Sequence, residues 1–65
     1  MSLAKVIEVI GDGETIEKAV HSAIAEASKT IHSIKSIYIE NIHALVENQK
    51  VTHYRVNAKI TFVLD

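Results

Sequence analysis

The side chain with the clearest capacity for binding chemistry is Arg55, in the long alternating segment that ends the chain. An arginine guanidinium can hold a carboxylate, a phosphate or the polar edge of a planar ligand through two parallel hydrogen bonds. The same group can instead pair with Glu40 or Glu47 of another strand or subunit, which is the commoner role of an interface arginine. The sequence leaves both roles open.

The histidines are the next candidates, as metal ligands. His21 and His32 are eleven positions apart on one predicted helix, about 16 Å along its axis, which is too far to share an ion. His43 and His53 lie on neighbouring predicted strands and could face each other, depending on the register. Symmetry-related histidines could bind a metal ion, but a surface or interface role is commoner.

Oxygen ligands give a second route to a metal-binding cage. Glu8, Glu40 and Asn41 carry the hard oxygen atoms that Mg²⁺ and Ca²⁺ prefer, and symmetry could gather several copies of them around one ion. No metal site is predicted within one chain. A structural or ion-binding cage is therefore kept as the alternative function.

Catalysis finds no support in the hydroxyl residues. Ser28, Thr30 and Ser33 cluster near the end of the predicted helix, but no Ser-His-Asp arrangement accompanies them. No nucleophile with its base can be identified. The sequence predicts that the protein is not an enzyme.

Composition excludes several further classes. The 65 residues predict one domain over 1–65, and the absence of cysteine excludes disulfides and thiolate metal sites. A net charge of −1 gives no basic stripe for nucleic acid. No stretch reaches the roughly 18 apolar residues of a membrane span, and no signal peptide is recognisable. A cytoplasmic location is expected by default.

The elements that must position these side chains begin with the last strand, which is predicted over Lys50 to Leu64. Its side chains alternate between an apolar and a polar face, and at ~3.3 Å per residue it would span roughly 50 Å. The apolar face carries Tyr54, Val56, Ala58, Ile60, Phe62 and Leu64, and the polar face carries His53, Arg55, Asn57, Lys59 and Thr61. A chain this short cannot cover both faces, so an assembly is predicted.

The remaining elements follow from periodicity. A short strand is predicted over Lys5 to Ile10, and a helix from Gly13 to about Ser33 with Asp12 as its cap. Apolar residues three and four positions apart define the buried face of this helix. They are Ile16, Ala19, Val20, Ala23, Ile24, Ala27 and Ile31.

The second long strand starts near Ile34, and its apolar parity changes near Glu40-Asn41, as a β-bulge would produce. The polar segment from Glu47 to Lys50 is short enough for a hairpin. The predicted fold is α+β: a β-α-β-β chain whose three-stranded antiparallel sheet wraps one helix.

In this order and at this length, the chain resembles a dodecin. The resemblance rests on the opening segment Lys5 to Gly11, the Ala-rich helix around Ala19 and Ala23, and the closing segment Tyr54 to Phe62. It implies a non-enzymatic protein that forms a hollow homododecamer and stores or sequesters a flavin such as riboflavin, lumichrome or FMN.

The departures from the family concern the flavin site. Flavin-binding dodecins place a stacking tryptophan where Ser36 stands here, and a hydrogen-bonding glutamine where Arg55 stands. The chain has no tryptophan, and a serine offers no aromatic surface to a planar ligand. Tyr38 shares the parity of Ser36 and could supply that surface, although an interface tyrosine is the commoner role. Ser36, Tyr38 and Arg55 are the candidate cofactor-binding residues, and flavin binding is expected to be weakened or lost.

Overall fold

The structure, a computed structural model, describes residues 3–64 of the chain. Three strands, β1 (Leu3–Gly13), β2 (Ile34–Glu47) and β3 (Lys50–Leu64), form one antiparallel sheet in the order β1-β3-β2. The predicted α+β class and β-α-β-β order are therefore confirmed. Residues 1, 2 and 65 of the predicted domain lie outside the described part. The helix, α1, spans Ile16–Ala27.

Strand β3 is the central strand, and its two faces differ as its alternation predicts. Val56 and Ile60 are 0% exposed beneath the helix, and Ala58 and Phe62 between and beyond them are also buried. Leu64, at the end of the same face, extends past the helix and is exposed. The predicted apolar core is therefore confirmed for its middle part.

The β2–β3 hairpin has the predicted bulge and turn. Pairing shifts between Ile39 and Asn41, which leaves Glu40 as the extra residue and inverts the parity of the strand beyond it. Asn48 and Gln49 form the turn with φ of 52° and 66°. Both values lie in the left-handed region that a two-residue hairpin turn requires.

The bounds of the first strand and of the helix differ from those predicted from the sequence. The predicted strand over Lys5 to Ile10 extends to Gly13, and the helix spans only Ile16–Ala27 instead of Gly13 to Ser33. Asp12 is not the helix cap. The cap is Thr15, whose hydroxyl accepts a hydrogen bond from the amide of Lys18 at 3.0 Å.

The early end of the helix has a local cause. The amides of Ser28 and Ile31 bond to carbonyls of the last turn, so a tight turn replaces further helix. The segment beyond Ala27 contains serine and β-branched residues, which have lower helix propensity than the alanines before them. The apolar periodicity extends to Ile31, but the helix ends at Ala27 because the residues that follow have lower helix propensity.

Small residues line the contact between the helix and the sheet. Ala19, Ala23 and Ala27 are its buried residues. On β1, a Cβ placed on Gly11 would overlap the Ala19 carbonyl oxygen and lie 2.9 Å from the Ala23 methyl. Gly11 is thus needed for close approach rather than for an unusual backbone conformation. Ile16, predicted to be buried, is 44% exposed.

The molecule is long and thin, with extents of 52 × 20 × 13 Å. Its accessible surface is 4852 Å², whereas a compact monomer of this mass exposes about 4,100 Å². The excess comes from a sheet that one short helix covers only in part.

Candidate functional site

The face of the sheet opposite the helix carries all of the predicted binding residues, and we call it the open face. The strand registers arrange its side chains in rows that run across β1, β3 and β2. Successive rows are two residues apart, or roughly 6.6 Å. In order along β3 the rows are Val6–Thr61–Ser36, Glu8–Lys59–Tyr38, Ile10–Asn57–Asn41 and Asp12–Arg55–His43.

Arg55 forms an ion pair within its own chain. Its Nε donates to Asp12 Oδ1 at 2.9 Å, and the two side chains are 41% and 50% exposed. Within the chain its partner is therefore Asp12 rather than Glu40 or Glu47, and a pairing with those residues of another subunit stays a prediction. The sequence assigned Asp12 to the helix, because β1 was expected to end before it.

The neighbouring charged row is organised around Lys59. Its Nζ lies 3.9 Å from Oε1 of Glu40, the bulge residue of β2. Glu8 is the partner of Lys59 on β1. The bulge therefore adds a carboxylate to the open face at a position where regular alternation would not place one.

A cavity of about 470 Å³ lies between these two charged rows. It opens to solvent, and it is lined by Glu8, Val9, Ile10, Glu40, Asn41, Asn57 and Ala58. Asn41 and Asn57 are register partners on neighbouring strands. Sequence reasoning missed Asn57 as a site residue, and only its polar parity in the last strand marked it.

The three predicted cofactor-binding residues share the open face but do not converge within one chain. Tyr38 is 68% exposed and pairs with Lys59, and Ser36 is exposed beside Thr61. Along β3 these rows lie roughly 13 Å and 20 Å from the row of Arg55. A single ligand could contact all three residues only if more than one copy of the chain contributed to its site.

The histidines of the hairpin are not register partners. His43 lies opposite Arg55, and His53 lies opposite Leu45. Thr52 Oγ1 is 3.3 Å from the Leu45 carbonyl oxygen and 3.0 Å from His53 Nδ1. Among residues 3–64, no three histidine, aspartate or glutamate side chains cluster as a metal site.

Residues 3–64 also contain no helix that is long and apolar enough to cross a membrane. The three hydroxyl residues for which no catalytic role was predicted lie after the helix. Ser28 and Thr30 are in the turn that follows it, and the Ser33 carbonyl accepts a hydrogen bond from the amide of Val63 at 3.1 Å.

Solved structures with the same architecture are dodecins. A variant of the Thermus thermophilus dodecin matches with a TM-score of 0.92 at 26% identity, over 100% of this chain and 98% of that chain. The dodecin of Streptomyces coelicolor has a TM-score of 0.91 at 26% identity, over 98% of this chain and 93% of that chain.

A more distant structure shows the same fold. The dodecin of Streptomyces davaonensis has a TM-score of 0.91 at 22% identity, over 98% of this chain and 96% of that chain. No curated protein sequence matches the chain. The Dodecin family model matches residues 3–65. With nearly its whole length matched by that model, the chain belongs to the dodecin family.

Proposed function

We propose that the protein is a non-enzymatic dodecin that assembles into a hollow homododecamer and binds flavins more weakly than its tryptophan-bearing relatives, or not at all. Storage or sequestration of a small planar molecule is the role that suits such an assembly. The observation that carries the altered binding is Ser36, a small exposed side chain at the position where the family resemblance places a stacking indole.

The uncovered sheet supports the assembly. Strands β1 and β2 are both edge strands, of 11 and 14 residues, and exposed edges of this length tend to pair with other chains unless they are blocked. The sequence contains no proline to block them. Val6, Ile10 and Tyr38 are each more than half exposed on the open face, and subunit contacts would bury such groups.

Arg55 supports the change in ligand binding. Its guanidinium has donors but no acceptor, so it cannot reproduce both hydrogen bonds of the glutamine amide that the resemblance expects. Its Nε is already engaged by Asp12. A ligand at this position would meet an ion pair instead of a neutral amide.

Restoring the family residues tests this proposal. We expect Ser36→Trp combined with Arg55→Gln to bind riboflavin or lumichrome at least about ten-fold more tightly than the native chain, because the indole adds stacking and buried apolar area. Quenching of flavin fluorescence on titration measures the change.

The matched control is Ser22→Trp, which adds the same indole at an exposed position of the helix. It should leave flavin binding as it is in the native chain. Equal tightening by the two tryptophan variants, or tight binding of FMN by the native chain, would contradict the proposal.

A further inference from the structure

The β2–β3 hairpin extends past the helix, and one of its faces is apolar. We call the segment from Ile42 to Tyr54 the hairpin arm. Ile42, Ala44 and Val46 alternate on the helix side of β2, and the register partner of Val46 on β3 is Val51. Ile42, Val46 and Val51 are 44%, 59% and 51% exposed. Residues 3–64 therefore leave much of the apolar face of the arm uncovered.

A second apolar feature lies at the opposite end of the sheet. It is a pocket of about 310 Å³ between the turn that follows α1 and the end of β3, and we call it the end pocket. Phe62 and Leu64 line it from the helix face of β3, and Ile31 adds apolar surface from the turn. Its other lining residues are Thr30, His32, Ser33 and Val63.

The hairpin arm and the end pocket cannot meet within one chain. Val51 and Leu64 are 13 positions apart on the same strand, or roughly 43 Å. Pairing with β1 and β2 keeps this strand extended. Every copy of the chain nevertheless has both features, so the end pocket of one copy can receive the arm of another.

The surface of the chain indicates that a second copy is the occupant. The chain exposes 4852 Å², which exceeds the surface of a compact monomer by about 750 Å², and a standard protein interface covers about 800 Å² on each partner. Within the described residues, neither the pocket lining nor the apolar face of the arm includes Lys, Arg, Asp or Glu. Docking of the two would therefore avoid the cost of burying such charges.

We propose that the apolar face of the hairpin arm docks in the end pocket of a second copy, so that Val46 and Val51 of one chain fill the pocket of the next. Such a contact joins two different surfaces, and repeating it with a constant rotation closes a ring in which every arm and every pocket is used. The inference rests on the proposed assembly and deepens it, because it names the surfaces of one subunit contact. It leaves the open face to the other contacts.

Covalent cross-linking tests this contact, because the chain has no cysteine of its own. Val46→Cys with Leu64→Cys places one thiol on the arm and one at the end pocket. A short bis-maleimide should convert this variant into covalent trimers or larger products, since each chain is linked at both ends. Val46→Cys alone has one thiol per chain and should give dimers at most. Mass spectrometry under denaturing conditions measures the products.

A matched control moves the second thiol to the other face at the same end of the sheet. Ser36 is exposed there on the open face, where Thr61 is its register partner. Val46→Cys with Ser36→Cys should therefore give no product larger than a dimer, because its second thiol lies on the side of the sheet away from the end pocket.

Charge on the arm tests whether the contact supports the assembly. Val46→Glu with Val51→Glu adds two carboxylates to the apolar face, and docking would bury them without partners. We expect the midpoint concentration of assembly to rise at least about ten-fold, as native mass spectrometry over a range of protein concentrations can measure. Both valines are exposed in the single chain, so circular dichroism should show an unchanged fold.

Lys50→Glu is the control for that variant. It changes the net charge by the same amount, and its side chain points to the opposite face from that of the neighbouring Val51. We expect it to assemble like the native chain.

Cross-linked products that stop at dimers for Val46→Cys with Leu64→Cys, or equal products from the two thiol pairs, would overturn this inference. So would unchanged assembly of the double glutamate variant. If the unmodified protein is still a homododecamer in these cases, the proposed assembly stands and only this contact is wrong. A monomeric unmodified chain would contradict both the contact and the proposed assembly.

Discussion

The two faces of strand β3 have opposite roles although they alternate along the same residues. On the helix face, the apolar side chains of Val56 and Ile60 are fully buried under α1. On the open face, Arg55, Asn57 and Lys59 are half-exposed. Arg55 and Lys59 form ion pairs, whereas the side chain of Asn57 has no partner within residues 3–64. Folding of the single chain depends on the first face, and assembly and ligand binding are proposed for the second.

This difference explains why so short a chain can carry so long a strand. Burial of the helix face is limited to the length of a 12-residue helix, about 18 Å, whereas β3 has 15 residues and is roughly 50 Å long. Much of the strand is therefore paired with its neighbours but not covered by the helix. Substitutions on the two faces should separate stability from assembly.

The largest effect is expected at Ile60, which is 0% exposed. Ile60→Ala should lower the free energy of unfolding by about 2–5 kcal/mol, because it removes buried apolar atoms and leaves a cavity under the helix. Lys59→Ala, on the adjacent open-face position, should change it by less than about 1 kcal/mol. Urea unfolding at one protein concentration measures the free energy of unfolding of both variants. Equal losses of stability in the two variants would refute the assignment of the two faces.

The next effect concerns the close contact between helix and sheet. Gly11→Ala should destabilise the fold by about 1–3 kcal/mol, because the new methyl group overlaps the Ala19 carbonyl oxygen and the helix must move away. Thermal unfolding followed by circular dichroism measures the loss. An unchanged melting temperature would show that the alanine stripe does not fix the distance between the helix and the sheet.

A smaller effect distinguishes the observed helix cap from the predicted one. Thr15→Ala should cost about 1 kcal/mol, because the Lys18 amide loses its acceptor. Thr15→Ser keeps the hydroxyl and should be close to the native protein. Asp12→Ala should lower the stability less than Thr15→Ala does, since it removes only a half-exposed ion pair. A larger loss of stability for Asp12→Ala would indicate that Asp12 is the helix cap.

The smallest effect on the fold, and the largest on assembly, is expected for charge reversal on the open face. Arg55→Glu with Lys59→Glu places each new carboxylate beside an existing one, Asp12 or Glu40. We expect smaller oligomers whose circular dichroism spectrum is unchanged. Arg55→Lys with Lys59→Arg preserves the charges and should assemble normally. Full assembly of the reversed variant would place the subunit contacts on the helix or on the hairpin tip.

Much of the fold followed from the sequence because alternation and helical periodicity are strong in this chain. The parity change near Glu40 located the bulge, and the polar segment between the long strands located the turn. The helix bounds were wrong because apolar periodicity extends to Ile31, whereas local hydrogen bonding ends the helix at Ala27.

The site was harder to predict because it depends on strand order and register. Periodicity cannot show that β1 lies beside β3, so the pairing of Asp12 with Arg55 was not foreseen. Nor can it show that the two asparagines are register partners on β3 and β2. Parity predicted that Tyr38 shares a face with Ser36, but only the register shows how far both residues lie from Arg55 along the strands.

Native mass spectrometry of the unmodified protein tests the central claim most directly. We propose that the open face and the two long edge strands are covered only by other copies of the chain. We expect a homododecamer at micromolar concentration, and we expect raised salt to favour its dissociation because the ion pairs in its contacts are screened. A stable monomer or simple dimer in native buffer would contradict the account.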